Sequence, residues 1–559
     1  MPQNPVFVKA PILRVQNCFP ANGTIRSLDQ RIEYLYQTAC HWIGQPCLLE
    51  GIFRLACLVK ARPAEEPVTG QIYNAIRESD NGSFGGTAAE QIHKARAAFA
   101  LYEYNTDRSI LKRIALWLRY LEIEFDAFTL QDDILYKPAD LMELLVRFYQ
   151  VTGVKTALRL CVKLRASAFD WTSALHTFQQ SIPVPHDPES ENGFCLGKKP
   201  EEIDYDEKEK LINYAEMLAD GMRFTMYSGL FSGHSQELSS GRTVWNYLKK
   251  HHSALCGGTT ANPFLCGQGA DKPVDNRALA AWIEAFAAQM VLGKSEWAIE
   301  ELVRIVFNGL DDCLEKGRIR LQQRINTIGE CPDVPSHEID VYARITRAAA
   351  TAIHHAVSLT EEGIRINYMI PARILVMICR QPVILNMSEQ SVVFQCKSPF
   401  SAPVDFFISR TGSRRISIIR AGNEDTPVSE NGIQERSCFI HTEEEWKERD
   451  GFRVETDTIH AEETHHQGLC FLSANRLLCL PADKESYNFV ACSIPVYTDG
   501  RIMIQFCKTD KWRLKNDIPC DIPVMPSASK VKETAEMAFY HRTPNRISMF
   551  PKVSGICLK

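Results

Sequence analysis

No stretch of the chain reaches the roughly 18 consecutive apolar residues that a membrane-crossing helix needs, and the opening residues 1–20 have neither a basic start nor an unbroken apolar run. The sequence therefore predicts no membrane span and no secretory leader. An excess of positive charge is also missing: 63 Lys and Arg stand against 68 Asp and Glu, a formal charge of -5. That balance offers no field to recruit a nucleic-acid backbone. The short basic cluster at Arg410, Arg414 and Arg415 reads as solvated surface. No P-loop, dinucleotide-binding glycine fingerprint or His-Glu-x-x-His motif occurs, which weakens kinase, dehydrogenase and metalloprotease readings. Cysteine is not scarce, but the nineteen residues are odd in number and scattered from Cys18 to Cys557. They read as small buried hydrophobes in a reducing compartment, so the expected location is cytoplasmic.

With 559 residues, 45% of them apolar and 23% charged, the chain exceeds one ordinary core and has the composition of a folded protein of two or more domains. Residues 1–25 read as an N-terminal arm. From 26 to 360 the apolar residues recur at helical spacing: Leu48, Leu49, Ile52, Phe53 and Leu55 in one segment, Ile110, Ile114, Trp117 and Leu121 in another, Leu279, Ile283, Phe286 and Met290 in a third. Ten to twelve such helices joined by short links, with no strand alternation among them, predict an (α/α)6 helical barrel whose loops at one end form a pocket for an extended polar ligand. After Glu362 the period changes. Short β-branched runs such as SVVFQC, RRISIIR and RIMIQFC, separated by Gly and Pro, predict an antiparallel β-sandwich over 361–559, or two small β domains.

The polar loops are where binding groups are expected. RESDNGSFGG at 77–86 joins Glu78 and Asp80 to Asn81, three glycines and Phe84, a mixture suited to sugar hydroxyls and an apolar sugar face; its bland reading is a turn before a helix. Gly229–Gly241 reads as a second loop, holding His234 and Glu237, and 256–274 as a third, holding Asn262. His93 reads as structural, Asp275 as a helix N-cap, Asp271 as solvated, and Trp282 as core. The cluster His460, His465, His466 and Cys470 has zinc-ligating residue types but no strong zinc spacing, and reads as a solvated loop, so no metal or other cofactor is expected.

The segment Glu296–Asn326, with Glu300 or Glu301, the Phe307-Asn308 pair, and Gln322-Gln323 before Asn326, resembles the β-L-arabinofuranosidase-like (DUF1680-type) glycoside hydrolases. Residues 341–373 resemble that family's last barrel helix entering the first sandwich strand. The resemblance implies a helical barrel followed by a β-sandwich and a glycosidase function. It also implies a zinc held by three cysteines and a glutamate, one cysteine being the nucleophile and another glutamate the acid. Here the sequence departs from the family: no cysteines stand at Ile339–Tyr342, no Glu-x-Cys at Ala278–Ala280, and Asn262-Pro263 replaces the expected acidic dipeptide.

Three functions follow from these readings. The first is a glycoside hydrolase for a small oligosaccharide or glycoside, working through a carboxylate acid/base pair drawn from Glu78, Asp80 and Glu237. Asn81, Phe84, His234, His252, Asn262 and Trp245 are its expected substrate contacts. The second is a carbohydrate-binding homologue without hydrolysis. The third is a polysaccharide or oligosaccharide lyase, for which Tyr227, His234, His252 and Arg242 supply the residue types. The expected partners are a carbohydrate and a second copy of the chain, with neither nucleic acid nor membrane.

Overall fold

The computed structural model describes residues 23–27, 30–79, 82–181, 198–269, 272–293, 295–315, 318–324, 334, 338–359, 363–378, 381–408, 415–420, 426–427, 438–455, 459–463, 468–473, 475–481, 488–509, 533–539, 546–548 and 550–551. Twelve of its helices alternate strictly between two layers. The outer layer holds α1 (Gln30–Ala39), α3 (Pro67–Arg77), α5 (Arg108–Ile123), α7 (Lys155–Ser167), α9 (Ser235–His251) and α11 (Glu296–Arg304). The inner layer holds α2 (Pro46–Val59), α4 (Ala88–Asn105), α6 (Ala139–Thr152), α8 (Ala215–Ser232), α10 (Asn276–Gly293) and α12 (Ile339–His354). Each inner helix packs on the next and α12 returns to α2, so the ring closes. This is the (α/α)6 barrel that the helical periodicity predicts.

Local chemistry fixes the helix ends. Thr87 and Glu90 form a reciprocal capping box at the start of α4, and Pro46 occupies the first turn of α2 where no amide donor is needed. Gly153 and Gly233, both at positive φ, end α6 and α8. The segment 229–241, read from sequence as one loop, is therefore almost entirely helical, broken only at Gly233–His234. Its polar residues belong to a helix junction whose buried side is satisfied by side chains. Closure between α12 and α2 depends on Gly51, where a Cβ would lie 2.4 Å from Thr346 Oγ1.

The inner helices are buried on nearly every face, α10 and α12 above all. Trp245, Trp282 and Phe286 pack between α9 and α10, Trp245 being 5.2 Å from Trp282 and 4.7 Å from Phe286. No helix among the described residues is long and apolar enough to cross a membrane.

After α12 the chain turns to strands at Val357–Leu359. A seven-stranded sheet faces a four-stranded one, with Phe394 of the first packed 5.1 Å from Trp446 of the second. The N-terminal strand Gly23–Ser27 joins the seven-stranded sheet by antiparallel pairing with Ala372–Val376. One pairing departs from the antiparallel expectation: Phe400–Ile408 runs parallel to Ile364–Ile366, because the chain between them has crossed through the other sheet. A further nine-stranded sheet from Ile459 onward has its own core around Phe471, Leu480, Ile504 and Phe506. His460 and Cys470 sit on its neighbouring strands Ile459–Glu463 and Gly468–Ser473, whereas His465 and His466 lie outside the described residues.

Asn308 joins this last β unit to the ring. It lies in a π-helical turn, Ile305–Leu310, that continues α11. Its Nδ2 donates to Asn475 O at 3.0 Å and its Oδ1 accepts from Leu477 N at 2.6 Å. Arg304 adds an ion pair to Glu462 at 2.7 Å. Asn308→Ala is expected to cost about 2 kcal/mol, two hydrogen bonds' worth, because it leaves the buried amide of Leu477 unpaired. Urea unfolding should then show the β unit melting ahead of the ring, and an unchanged single transition would contradict this coupling.

Candidate functional site

Six parallel helices enclose an axis, and the side chains aimed at that axis here are charged. Seven carboxylates (Glu50, Glu103, Asp140, Glu143, Glu216, Asp220 and Glu284) and six arginines (Arg54, Arg96, Arg147, Arg223, Arg344 and Arg347) form one connected network drawn from all six inner helices. Arg96 reaches Glu50 at 2.7 Å and Glu143 at 3.1 Å. Arg223 bridges Glu284 at 2.8 Å and Asp220 at 3.2 Å, and also bonds Asp140. Arg347 holds Asp140 at 2.9 Å and grips both oxygens of Glu284. Arg344 takes Glu216 at 2.9 Å.

For Glu50, Asp140, Glu143 and Asp220, burial alone would raise the carboxyl pKa, but the surrounding guanidinium groups outweigh it. Glu50, Asp140 and Asp220 are held below the usual carboxylate range, and Glu143 is lowered to about 2. Burial keeps His93, facing Asp140, Arg347 and Arg96, neutral to about 4, and His355 likewise.

The loops before the inner helices gather at one end of the ring, its mouth. Toward that end Asp140, Arg344 and Glu216 keep 17%, 14% and 11% side-chain exposure. Half-buried Trp42, just before α2, lies against Tyr342 of α12 with ring centroids 4.5 Å apart. The loop before α6 carries Asp132 and Asp133, both at positive φ, an uncommon conformation for residues other than glycine. Asp132 Oδ2 accepts from Ala89 N at 2.9 Å, one turn ahead of His93 on α4. Asp133 Oδ1 is buried without a hydrogen-bond partner, and burial raises its carboxyl pKa, with Asp132 adding to the rise and Lys137 opposing it. On the loop before α10, Asn262 Oδ1 is likewise buried without a partner. That loop is fastened over the start of α8 by Ala215 N donating to Pro263 O at 3.2 Å.

The residues nominated from sequence are dispersed. Glu78 is exposed, just past α3 on the outer layer, while Asp80 and Asn81 lie outside the described residues. Glu237 is at the opposite end of the ring and buried. It accepts from Arg165 at 2.7 Å, Ser228 at 3.2 Å and Ser232 at 2.6 Å, joining α7, α8 and α9. Glu78 and Glu237 therefore do not meet as an acid/base pair.

Phe84 is packed edge-on against Trp117 at 5.8 Å, and Trp245 is in the α9–α10 core, so both rings are interior rather than open to a sugar. His234 is exposed at the far end of the ring. His252 is fully buried: Nδ1 accepts from Gly267 N at 3.1 Å, so Nε2 carries the proton and donates to Gln180 O at 2.7 Å. Burial lowers its pKa to about 4, which suits a loop-fastening role. Of the nominated contacts on the loops before inner helices, Phe84 and His252 are engaged in packing and loop fastening, and Asn262 keeps a buried side-chain oxygen without a partner. Tyr227 belongs to the lumen, and Arg242 and His234 are exposed on α9 and at its cap, so the residue types for lyase chemistry are not assembled.

Asp275 caps α10, accepting from Arg277 N at 2.7 Å and Ala278 N at 3.3 Å. Of the motif residues, Glu301 pairs with Lys249 at 2.6 Å, and Gln323 Nε2 donates to Asn276 Oδ1 at 2.9 Å and Gly309 O at 3.0 Å. Their positions are structural.

Sequence reading missed the lumen network and Trp42. Its signal is present as charged residues at helical spacing inside otherwise apolar segments: Asp140, Glu143 and Arg147 on α6, and Glu216, Asp220 and Arg223 on α8. A separate shallow cleft, lined by Ile32, Phe307, Ile353, Ile370, Glu389 and Arg476, lies outside the ring, against the β units.

No family model matches the chain, and no curated protein matches it by sequence. Solved structures do match along nearly its whole length. A protein described as a glycoside hydrolase aligns with a TM-score of 0.69 at 10% identity, covering 96% of this chain and 97% of its own. A GH127 β-L-arabinofuranosidase from Geobacillus stearothermophilus T6 gives 0.61 at 12% identity, with 93% and 94% covered. A GH127 β-arabinofuranosidase gives 0.62 at 9% identity, with 93% and 91% covered. The chain thus shares the helical-barrel and β-sandwich fold of the GH127 structures.

The zinc and cysteines implied by the family resemblance do not fit the residues present. At the mouth, the first turn of α10 offers buried Ala278, Leu279 and Ala280. The first turn of α12 offers Asp340 beside Cys47, whose thiol is pushed up to about 12 by burial and then by the Asp340 charge, so this pair supplies a single cysteine. Cys256 and Cys266 are buried against the carbonyls of Gly257 and Pro273. Among the described residues no three His, Cys, Asp or Glu are arranged to hold a metal ion.

Two outcomes follow from the electrostatics. Histidines and carboxylates with lowered folded pKa values contribute stability that is complete above their unfolded values and is lost as pH falls through the folded ones. His93, His252 and His355 fall from 6.5 to about 4, so stability is expected to decline from pH 6.5 to 4, and more steeply below as Glu143 and its neighbours titrate. Urea midpoints measured across this range check it, and a flat profile would count against neutral buried histidines. Glu284→Gln, which removes a carboxylate shared by Arg223, Arg344 and Arg347 and leaves them an excess of buried positive charge, is expected to lose about 3–5 kcal/mol in the same assay.

Proposed function

We propose that the protein binds a glycoside at the mouth of the helical ring and hydrolyses its glycosidic bond with two carboxyl groups of one loop–helix segment, Asp133 and Asp140. The supporting observation is the contrast between them. Arg347 and Arg223 help keep Asp140 ionised and it keeps contact with solvent, whereas Asp133 carries a raised pKa and a buried oxygen without a partner. Hydrolysis needs such a division, a protonated acid for the leaving oxygen and an ionised carboxylate as nucleophile or base. Asn262 Oδ1 would accept a sugar hydroxyl, and Trp42 would offer an aromatic face. The fold shared with two β-arabinofuranosidases makes β-arabinofuranosides the first substrates to assay. In this reading the protein works in a reducing compartment, consistent with its scattered cysteines, and pairs with a second copy.

A second reading, sugar binding without hydrolysis, is favoured by the engagement of Asp140 with several arginines, which occupies its oxygens. Aryl glycosides and short oligosaccharides should be assayed by product release and by calorimetry. If hydrolysis occurs, Asp133→Asn and Asp140→Asn are each expected to lower kcat by about 10²–10⁴-fold. Activity should fall as pH rises through the elevated Asp133 pKa, and Asp133→Asn should abolish that alkaline limb. Calorimetric binding without product would establish the second reading, and neither binding nor product would reject both.

A further inference from the structure

The C-terminal β unit holds two cysteines in bonding reach of each other. Cys492 follows the strand Asn488–Ala491, and Cys507 lies in Arg501–Thr509. The register pairs Ala491 with Phe506 and Val490 with Cys507, and Cys492 N donates to Gln505 O at 2.8 Å, continuing the ladder by one residue. Cys492 thus stands opposite Gln505, and Cys507, two residues on, projects from the same face of the sheet. Their sulfurs are 3.1 Å apart, and the residues are only 8% and 6% exposed. Between them the chain makes a hairpin, Val496–Thr498 paired with Arg501–Met503, whose turn residues Asp499 and Gly500 both have positive φ. The strand Asn488–Ala491 is at the edge of the nine-stranded sheet.

We infer that Cys492 and Cys507 are a site of reversible oxidative modification, closing to a disulfide that fastens the edge strand to its neighbour. The oxidant is a low-molecular-weight disulfide such as oxidised glutathione. A thiolate of one cysteine attacks it, releasing one reduced glutathione and leaving a mixed disulfide. The second cysteine then attacks the protein sulfur of that bond and displaces the other glutathione. Two thiol protons and two electrons leave the protein, and one disulfide becomes two thiols. The bond would close a loop of hairpin size, and it stabilises by restricting the unfolded chain. Burial of the pair limits access by larger oxidants and places the cross-link inside a formed sheet.

The test uses the full chain equilibrated with oxidised glutathione or with a reducing agent, followed by alkylation of the remaining thiols with iodoacetamide and trypsin digestion. Cleavage after Lys484, Arg501 and Lys508 puts the two cysteines on separate peptides, 485–501 and 502–508. The expected result is a cross-linked pair of these peptides, two hydrogens lighter than their sum, that disappears on reduction. The oxidised protein should also unfold about 2–4 °C higher, a shift absent in Cys492→Ser. Recovery of both peptides alkylated and unlinked from oxidised folded protein would overturn the inference, as would Cys507 joined to any other cysteine. The peptide map on the unaltered chain stands even if the variant folds poorly.

Discussion

The arginine–carboxylate network along the axis of the ring is the interaction on which the remaining structure depends. Six helices packed side by side leave a central space that their own apolar faces, turned toward the outer layer and toward each other, do not fill. Here that space is occupied by guanidinium groups, each bridging carboxylates from two or three helices, as Arg223 does between α6, α8 and α10. Such pairs repay their desolvation only where geometry is good and every charge is matched, so they fix the register of the helices more than they add net stability. Seven carboxylates against six arginines bring the network close to that condition, each arginine pairing with more than one carboxylate.

The same network divides the lumen chemically. Deep carboxylates are locked in ion pairs, Glu50, Glu143 and Asp220 among them being held ionised, while Asp133 Oδ1 and Asn262 Oδ1, on the loops at the mouth, are buried without partners. In the proposed reading, a polar ligand meets a charged floor and a rim that holds buried oxygens without partners. That arrangement is suited to sugar hydroxyls, and it differs from a metal site, where several deprotonated ligands must converge.

The β units are joined to this ring by one continuous apolar core, which runs from Ile32 through the sandwich to Leu477, and by a few specific polar contacts. Asn308 reaches the last β unit because the π-helical turn rotates its amide away from the ring's core toward the Asn475–Leu477 turn. Arg476, next in that turn, pairs with Glu389 of the sandwich at 2.6 Å and covers the Phe307 ring, so one short segment meets both neighbours. Phe307-Asn308, first recognised as a family motif, is thus explained by architecture.

Much of the fold was legible in the sequence because apolar periodicity reports burial directly. Helical spacing from Ile32 to Ile353 and the change to short β-branched runs after Glu362 gave the barrel and the sheets, and a run of apolar residues has few other ways to leave water. The site was legible only in part. Loops rich in Gly, Asn and acids correctly located where chain direction reverses, but Glu237 proved to be a buried partner of Arg165, and Phe84 an interior ring against Trp117. Composition and periodicity by themselves determined the layering and its order along the chain. Which charges face the lumen, and which carboxyls are held ionised or kept without partners, was decided by tertiary structure alone, since Arg347 reaches Asp140 from 207 residues away. A local pattern contains no record of such a partner, and it is the partner that sets the charge.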